Sequence, residues 1–268
     1  MRNRVPTLFL CLALTAAADG ARAQETPENR STTAPQWYVG TTYGYQSFFN
    51  DIDAWQIGSV SIGHKTSAGS VIARANYANR FGNQGYQGEI DAYPRLTEGV
   101  YAYLNIGYSQ SSSVFPEWRS GAEIFASLPD AYEASVGYRQ LRFGGPPVTL
   151  FTGAVGKYSG NYWFSLRPYV RSKDSGLSAS GSLLARRYYE DGDHYIGARI
   201  GFGSTPSDQL APDQTQLRTS SFTGGIQGST SVAPSVLGTW SVVFDHEELS
   251  STRTRKSVSL DLGARLLF

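Results

Sequence analysis

The final eleven residues constrain the fold more than any other stretch of this chain. Val258, Leu260, Leu262, Ala264, Leu266 and Phe268 alternate with Ser259, Asp261, Gly263, Arg265 and Leu267. One face is apolar; the other carries charge, hydroxyl or glycine, with Leu267 last. That is the period of two of a half-buried strand. At the edge of a soluble sheet, such a strand would leave a long apolar face beside unpaired backbone, an arrangement that soluble proteins avoid. It fits a strand of a closed membrane barrel, with lipid against one face and water against the other.

The other end of the chain agrees. Arg2 and Arg4 precede an apolar run from Val5 to Ala18, and Ala21-Arg22-Ala23 then supplies small residues where a signal peptidase reads them. A secretory signal is expected over residues 1–23, cut between Ala23 and Gln24. The run is too short to span a bilayer as a helix. Cys11, the one cysteine, lies inside it, and Leu10 before it is too bulky for a lipoprotein cleavage site. The mature chain would then hold no disulfide, thiolate metal site or cysteine nucleophile. Residues 24–35, with Glu, Asn, Arg, Ser, Thr and Pro, read as a disordered leader. The remainder, 36–268, reads as one domain.

Composition narrows the class further. Mean hydropathy is only −0.30, yet the chain has 17 Tyr, 13 Phe, 5 Trp and 29 Gly. A membrane barrel accounts for both, because half of each strand faces water while aromatics crowd the two interfaces. The net charge of +1 argues against a nucleic-acid partner.

Alternation divides the remainder into fourteen segments: 36–48, 53–65, 70–81, 85–95, 99–110, 117–128, 131–143, 147–158, 161–173, 176–190, 194–204, 215–229, 235–246 and 253–268. Each can cross a bilayer at a tilt, for which about 9–11 residues suffice. The expectation is an all-β, antiparallel up-and-down transmembrane barrel of fourteen strands. Twelve is the alternative, if 215–229 and one neighbour merge or are lost. With both termini periplasmic, the periplasmic turns fall at Thr66–Gly69, Thr97–Gly99, Pro129–Asp130, Ser159–Gly160, Asp191–Asp193 and Thr230–Pro234. The outer loops include Phe49–Ile52, Gln110–Pro116, Gly144–Pro147, Thr205–Gln214 and Glu247–Thr252. They are longer on average, as in outer-membrane barrels. A soluble sandwich or lipocalin-like barrel would not need fourteen strands of this length.

Several runs carry a family resemblance. They are Arg80-Phe81-Gly82, Ala92-Tyr93-Pro94-Arg95, Tyr101-Ala102-Tyr103-Leu104-Asn105, Phe115-Pro116-Glu117 and Gly121-Ala122-Glu123-Ile124-Phe125. Glu133-Ala134-Ser135-Val136-Gly137-Tyr138-Arg139, Gly156-Lys157-Tyr158-Ser159-Gly160-Asn161-Tyr162-Trp163, Arg167-Pro168-Tyr169 and Arg186-Arg187-Tyr188 follow in order. From about Trp37 to Phe268 the chain resembles the YaiO family of outer-membrane β-barrel proteins. That resemblance implies an outer-membrane barrel and, loosely, an association with surface polysaccharide systems. It implies no defined activity and no catalytic residues. A barrel of this kind would meet outer-membrane lipid and lipopolysaccharide, and the barrel-assembly machinery, for which the terminal Phe268 is the expected signal.

An arginine at the lipid midplane costs roughly 2–4 kcal/mol, so alternation assigns charged residues to the inside. Arg74, Arg119, Arg139, Arg167, Arg171, Arg186, Arg199 and Arg265 are expected to line the lumen, with Glu89, Asp91, Glu123, Glu133 and Asp261 facing them. Tyr101, Tyr103 and Tyr169 share that side. Two readings follow. In one, arginine forks bind anionic groups, aromatic faces stack on sugars, and the lumen is a conduit for saccharide or anionic solutes. In the other, arginines and carboxylates pair across the barrel and fill it. Fourteen strands lie between the eight of a filled barrel and the sixteen to eighteen of an open one.

No cofactor, metal site or enzyme activity is expected. Asp245-His246-Glu247 is an acid–histidine cluster, and neighbours in a strand point to opposite faces. A lipid- or sugar-modifying centre at this rim is the weakest reading. Trp37, Tyr38, Trp55, Trp118, Trp163 and Trp240 are expected to contribute to the interface belt. In segment 53–65, Trp55 and Ile57 lie out of phase with Val60 and Ile62, which a bulge near Gly58 or a wrong boundary would reconcile.

Overall fold

The computed structural model describes residues 36–268 apart from 50–51, 81, 111–112, 174–175, 190–191, 204–219 and 251, with the side chains of 172–176 and 250 also outside the description. The expected signal, its Ala23–Gln24 cut, Cys11, the leader 24–35 and the whole loop Thr205–Gln214 lie outside the described residues.

Fourteen strands follow one another: β1 (Gln36–Phe48), β2 (Trp55–Thr66), β3 (Gly69–Arg80), β4 (Asn83–Thr97), β5 (Val100–Tyr108), β6 (Trp118–Leu128) and β7 (Tyr132–Arg142). Then come β8 (Val148–Ser159), β9 (Tyr162–Lys173), β10 (Gly176–Tyr188), β11 (Tyr195–Gly203), β12 (Ser220–Ala233), β13 (Val236–Ser250) and β14 (Arg253–Leu267). Each pairs with its neighbours in sequence, and β1 pairs antiparallel with β14, so the sheet closes on itself. Closure removes both edges, which is why the apolar face of β14 needs no protection. Among the described residues, no helix is long and apolar enough to cross a membrane.

The two ends of the barrel differ. At the near end, where β1 begins and β14 ends, the hairpins after β2, β4, β6, β8 and β12 are tight. Gly99 and Gly160 take positive φ of 72° and 55° there, the backbone that short hairpins need. Asp130 and Ala131 do the same without being glycine, in a single 3-10 turn between β6 and β7. At the far end the connection from β5 to β6 is longer.

Alternation is realised in three dimensions. Along β4, Gln87, Glu89, Asp91 and Tyr93 are buried, while Tyr86 and Ile90 are exposed. Val136, Phe151, Val155 and Leu166 likewise point outward from their strands. A belt of exposed aliphatic and aromatic side chains around a polar interior is the pattern lipid demands.

Four expectations are corrected. The segment 215–229 gives a strand at Ser220–Ala233, so its near-end turn is Pro234–Ser235, with Ser235 at φ 61°. β13 runs on to Ser250, so Glu247 belongs to a strand, not a loop. No bulge exists at Gly58, because β2 pairs with β3 without interruption from Gln56–Asn79 to Thr66–Gly69. Trp55 is 6 % exposed and faces inward, and Ile57 packs on the buried Ala78, Val114 and Phe115. The apparent phase error came from reading every apolar residue as lipid-facing. Finally, Trp163 faces inward too, and the Tyr38 ring lies over Gly63 inside the barrel, whereas Trp37 and Trp118 stay on the outer surface.

Candidate functional site

The interior is built by odd or even positions of successive strands, and its chemistry is uneven around the barrel. β3 to β9 supply most of the charge. Arg74 on β3 holds Glu89 at 3.1 Å and Asp91 at 3.4 Å. Arg119 on β6 donates to the other oxygen of Glu89 at 3.0 Å and to Asn105 at 3.1 Å. Asp91 also accepts from the Tyr103 hydroxyl at 3.1 Å and from Asn105 at 2.7 Å. Arg167 on β9 reaches Glu123 on β6 at 2.6 Å, and Glu123 accepts from Ser135 as well. These groups are nearly buried, and charge-assisted bonds of this length are the strong ones.

Aromatic rings interleave with the cations. The Arg139 guanidinium lies 5.7 Å from the centre of the Tyr103 ring, and Arg167 lies 5.9 Å from Phe125. Tyr101 stacks on Phe125 with centroids 4.6 Å apart. Toward the near end, Arg186 is 1 % exposed and sits between Tyr195 at 4.4 Å and Trp163 at 5.4 Å. Such contacts hold a guanidinium without neutralising it. The cross-strand neighbour of Arg186 is Gly197, whose missing side chain gives the arginine room: a Cβ there would come within 3.0 Å of Arg186 Cγ. Several polar atoms in this tier make no hydrogen bond among the described residues. They are Arg186 Nε and Nη2, Trp163 Nε1 and Gln227 Nε2.

The opposite wall, from β10 round to β2, is different. Ser180, Ser182, Gly201, Gly225, Ser259 and Gly263 present little side chain. Asp261 bonds Ser241 on the next strand, Arg265 lies over the Tyr38 ring at 4.5 Å, and Tyr169 and Arg171 are half-buried on β9 at the boundary of the two walls. Arg199 on β11 stands between Leu184 and Gly225, with no ion pair or hydrogen bond among the described residues.

The structure therefore turns all sixteen singled-out lumen residues inward but joins only some of them. Arg74, Glu89, Asp91, Tyr103 and Arg119 form one network; Glu123 and Arg167 form another. The charged pairs link strands from one to three positions apart along the wall, so they lie against it.

Other inward groups escaped notice in the sequence. Arg255 pairs with Glu247 and lies over Phe48 and Trp55, and Arg80 lies over the same Trp55. Their parity was the available signal: Arg80 is in phase with Arg74, and Arg255 with Arg265. The connection from β5 to β6 folds inward at the far end. Val114 and Phe115 pack against Ala78 and Ile57, and Gln87 bonds the Pro116 carbonyl at 3.4 Å. Gly85 leaves the space, since a Cβ there would lie 2.9 Å from Val114 Cβ.

The rim cluster does not assemble. Asp245 faces inward and accepts from Thr223 at 2.6 Å, Glu247 is held by Arg255, and His246 lies on the opposite face of the strand. Among the described residues, no group of three metal-ligating side chains converges.

Comparison with solved structures finds barrels. A protein described as the CymD monoaromatic hydrocarbon channel superposes with a TM-score of 0.54 at 10% identity, covering 89% of this chain and 90% of that one. An anion-selective porin from Comamonas acidovorans gives 0.46 at 10% identity, over 88% and 99%, and the KdgM porin gives 0.44 at 10%, over 85% and 98%. Likeness at this identity is likeness of fold. No curated protein sequence matches the chain. The model of one family, the YaiO membrane beta barrel domain, matches residues 36–208, which takes in β1 to β11 with the charged wall and its aromatic rings. A match of that extent, on a chain whose strands close into such a barrel, makes this protein a member of the YaiO membrane β-barrel family.

Proposed function

We propose that this barrel is an outer-membrane conduit of a Gram-negative bacterium that favours anionic and saccharide solutes. The near end would then face the periplasm. One observation carries the reading: among the described residues Arg199 makes no ion pair or hydrogen bond and stands on a wall of glycine and serine, while Glu89, Asp91, Glu123 and Asp261 all have hydrogen-bonding partners. A guanidinium beside small side chains offers a fixed positive charge to whatever moves past it. At the boundary of the two walls, the half-buried Tyr169 and Arg171 set an aromatic ring and a guanidinium on the same inner face of β9, the combination that a sugar ring bearing a carboxylate can use. Charge held along the wall in place of across the barrel favours a conduit over a filled interior. Lipid, lipopolysaccharide and the assembly machinery reading Phe268 are the partners this placement brings, and surface polysaccharide is the solute class in view.

Arg199→Ser tests it. In a planar bilayer, a uronate-containing oligosaccharide should block the wild-type current for longer than a neutral oligosaccharide of equal length. The variant should lose that difference while keeping its neutral-sugar block. Equal block by both sugars in the wild type would remove the anionic part of the proposal.

A further inference from the structure

One seam of the barrel is unlike the others. Backbone groups inside a bilayer must be paired, since lipid offers them nothing. β1 is paired to β14 from Tyr38–Leu267 to Phe48–Ser257, and β2 to β3 along its whole length. Between β1 and β2, the ladder among the described residues holds two pairs, Gln36–Lys65 and Trp37–His64. Every other seam carries seven or more, the shortest being β4–β5 and β8–β9.

Beyond Trp37, β1 and β2 stay side by side in the same register, but side chains join them. Ser61 Oγ donates to the Gly40 carbonyl at 3.4 Å, and Thr41 Oγ1 to the Ser59 carbonyl at 3.3 Å. The hydroxyls of Thr42 and Ser59 bond each other, and the Tyr43 hydroxyl donates to Gln56 at 3.3 Å. Gly40 permits this, because a Cβ there would lie 2.8 Å from Ser61 Oγ.

Both ends of the seam are pinned. At the near end, Trp37 stacks on His64 at 4.1 Å beside the two laddered pairs. At the far end, the Phe48 and Trp55 rings meet at 4.7 Å under Arg255. The unladdered stretch thus lies at mid-membrane. Its inner side presents Gly40, Thr42, Gly44, Ser59 and Ser61, and its outer side presents the exposed Val39, Val60 and Ile62.

We propose that the β1–β2 seam is a lateral gate, through which a single-chain amphiphile passes between the lumen and the bilayer. The hydroxyl row suits the polar head: it can exchange its mutual bonds for bonds to the passing group at little net loss. The aliphatic row outside suits the alkyl chain. A fully laddered seam could not part this way, because each broken backbone bond would be left in lipid. This route is separate from axial conduction and does not rest on it.

The test uses the full chain carrying Cys11→Ser, Thr42→Cys and Ser59→Cys, refolded into vesicles with lipopolysaccharide in the outer leaflet. The probe is a fluorescent twelve-carbon fatty acid. Oxidation should slow its transfer at least ten-fold, reduction should restore it, and salt conductance along the axis should not change. In the unmodified barrel, amides of residues 39–47 that point to β2 should exchange with deuterium at least ten-fold faster than those of β13. Transfer at the same rate in oxidised and reduced barrels would overturn the gate. So would exchange as slow as in β13. Axial conductance, read on the same samples, separates failure of the gate from failure of the conduit.

Discussion

Glu89→Ala is expected to destabilise the folded barrel by about 3–5 kcal/mol, the cost of removing one partner from a buried ion pair. Glu89 is 6 % exposed and holds two guanidinium groups, Arg74 through one oxygen and Arg119 through the other. Without it, Arg74 keeps Asp91 and Arg119 keeps Asn105. Two cations from β3 and β6 then share one wall with a single carboxylate between them. The loss should appear as a lower urea midpoint of the refolded protein and a lower temperature for the heat-induced gel shift. Glu89→Gln should cost less, because an amide oxygen still accepts one bond. Equal midpoints for wild type and Glu89→Ala would mean that lumen water screens this network, and that the charged wall contributes little to stability.

Phe115→Ala is expected to have two effects of opposite usefulness. Phe115 belongs to the inward-folded connection between β5 and β6 and packs with Val114 on Ala78 and Ile57. Truncating a buried phenylalanine costs about 3–5 kcal/mol, through lost transfer energy and the cavity left behind. Part of that loss releases the connection from the inner wall of β2 to β4. Conductance should therefore rise even as stability falls, and single-channel recording beside a urea titration would show both. A conductance below that of wild type would contradict an inward loop that narrows the far end.

Much of this architecture could be read from residue order alone. Strand β14 announced itself through Val258 to Phe268, and β1 was bounded to the residue, because membrane strands obey a strict two-residue period. The same rule turned charged residues such as Glu89, Asp91 and Arg167 to one side of their strands. It failed where both faces are apolar. Trp55 and Trp163 face inward to carry arginines, and nothing in their neighbours distinguishes a ring under a guanidinium from a ring in a lipid belt. β12 was misplaced because its serines and glycines, from Ser220 to Gly228, barely alternate.

Pairing partners were beyond reach for a different reason. Alternation tells which face a residue occupies but not how far its side chain travels. That Arg167 passes two strands to reach Glu123 depends on barrel curvature and on the small residues between, such as Ser135 and Thr152. The inward fold of Val114 and Phe115 depends likewise on Gly85, a position silent in the sequence. The β1–β2 seam is subtler still. Its hydroxyls at Thr41, Thr42, Ser59 and Ser61 look like ordinary strand residues until the ladder beside them stops.

The most direct test of the central claim is the current through single refolded barrels in a planar bilayer, with unequal salt on the two sides. The conduit reading predicts stable conductance with a reversal potential on the anion side, shifted toward zero by Arg199→Ser. A barrel that folds, shows the heat-induced gel shift and never conducts would contradict it, and would leave the arginines as parts of a closed wall.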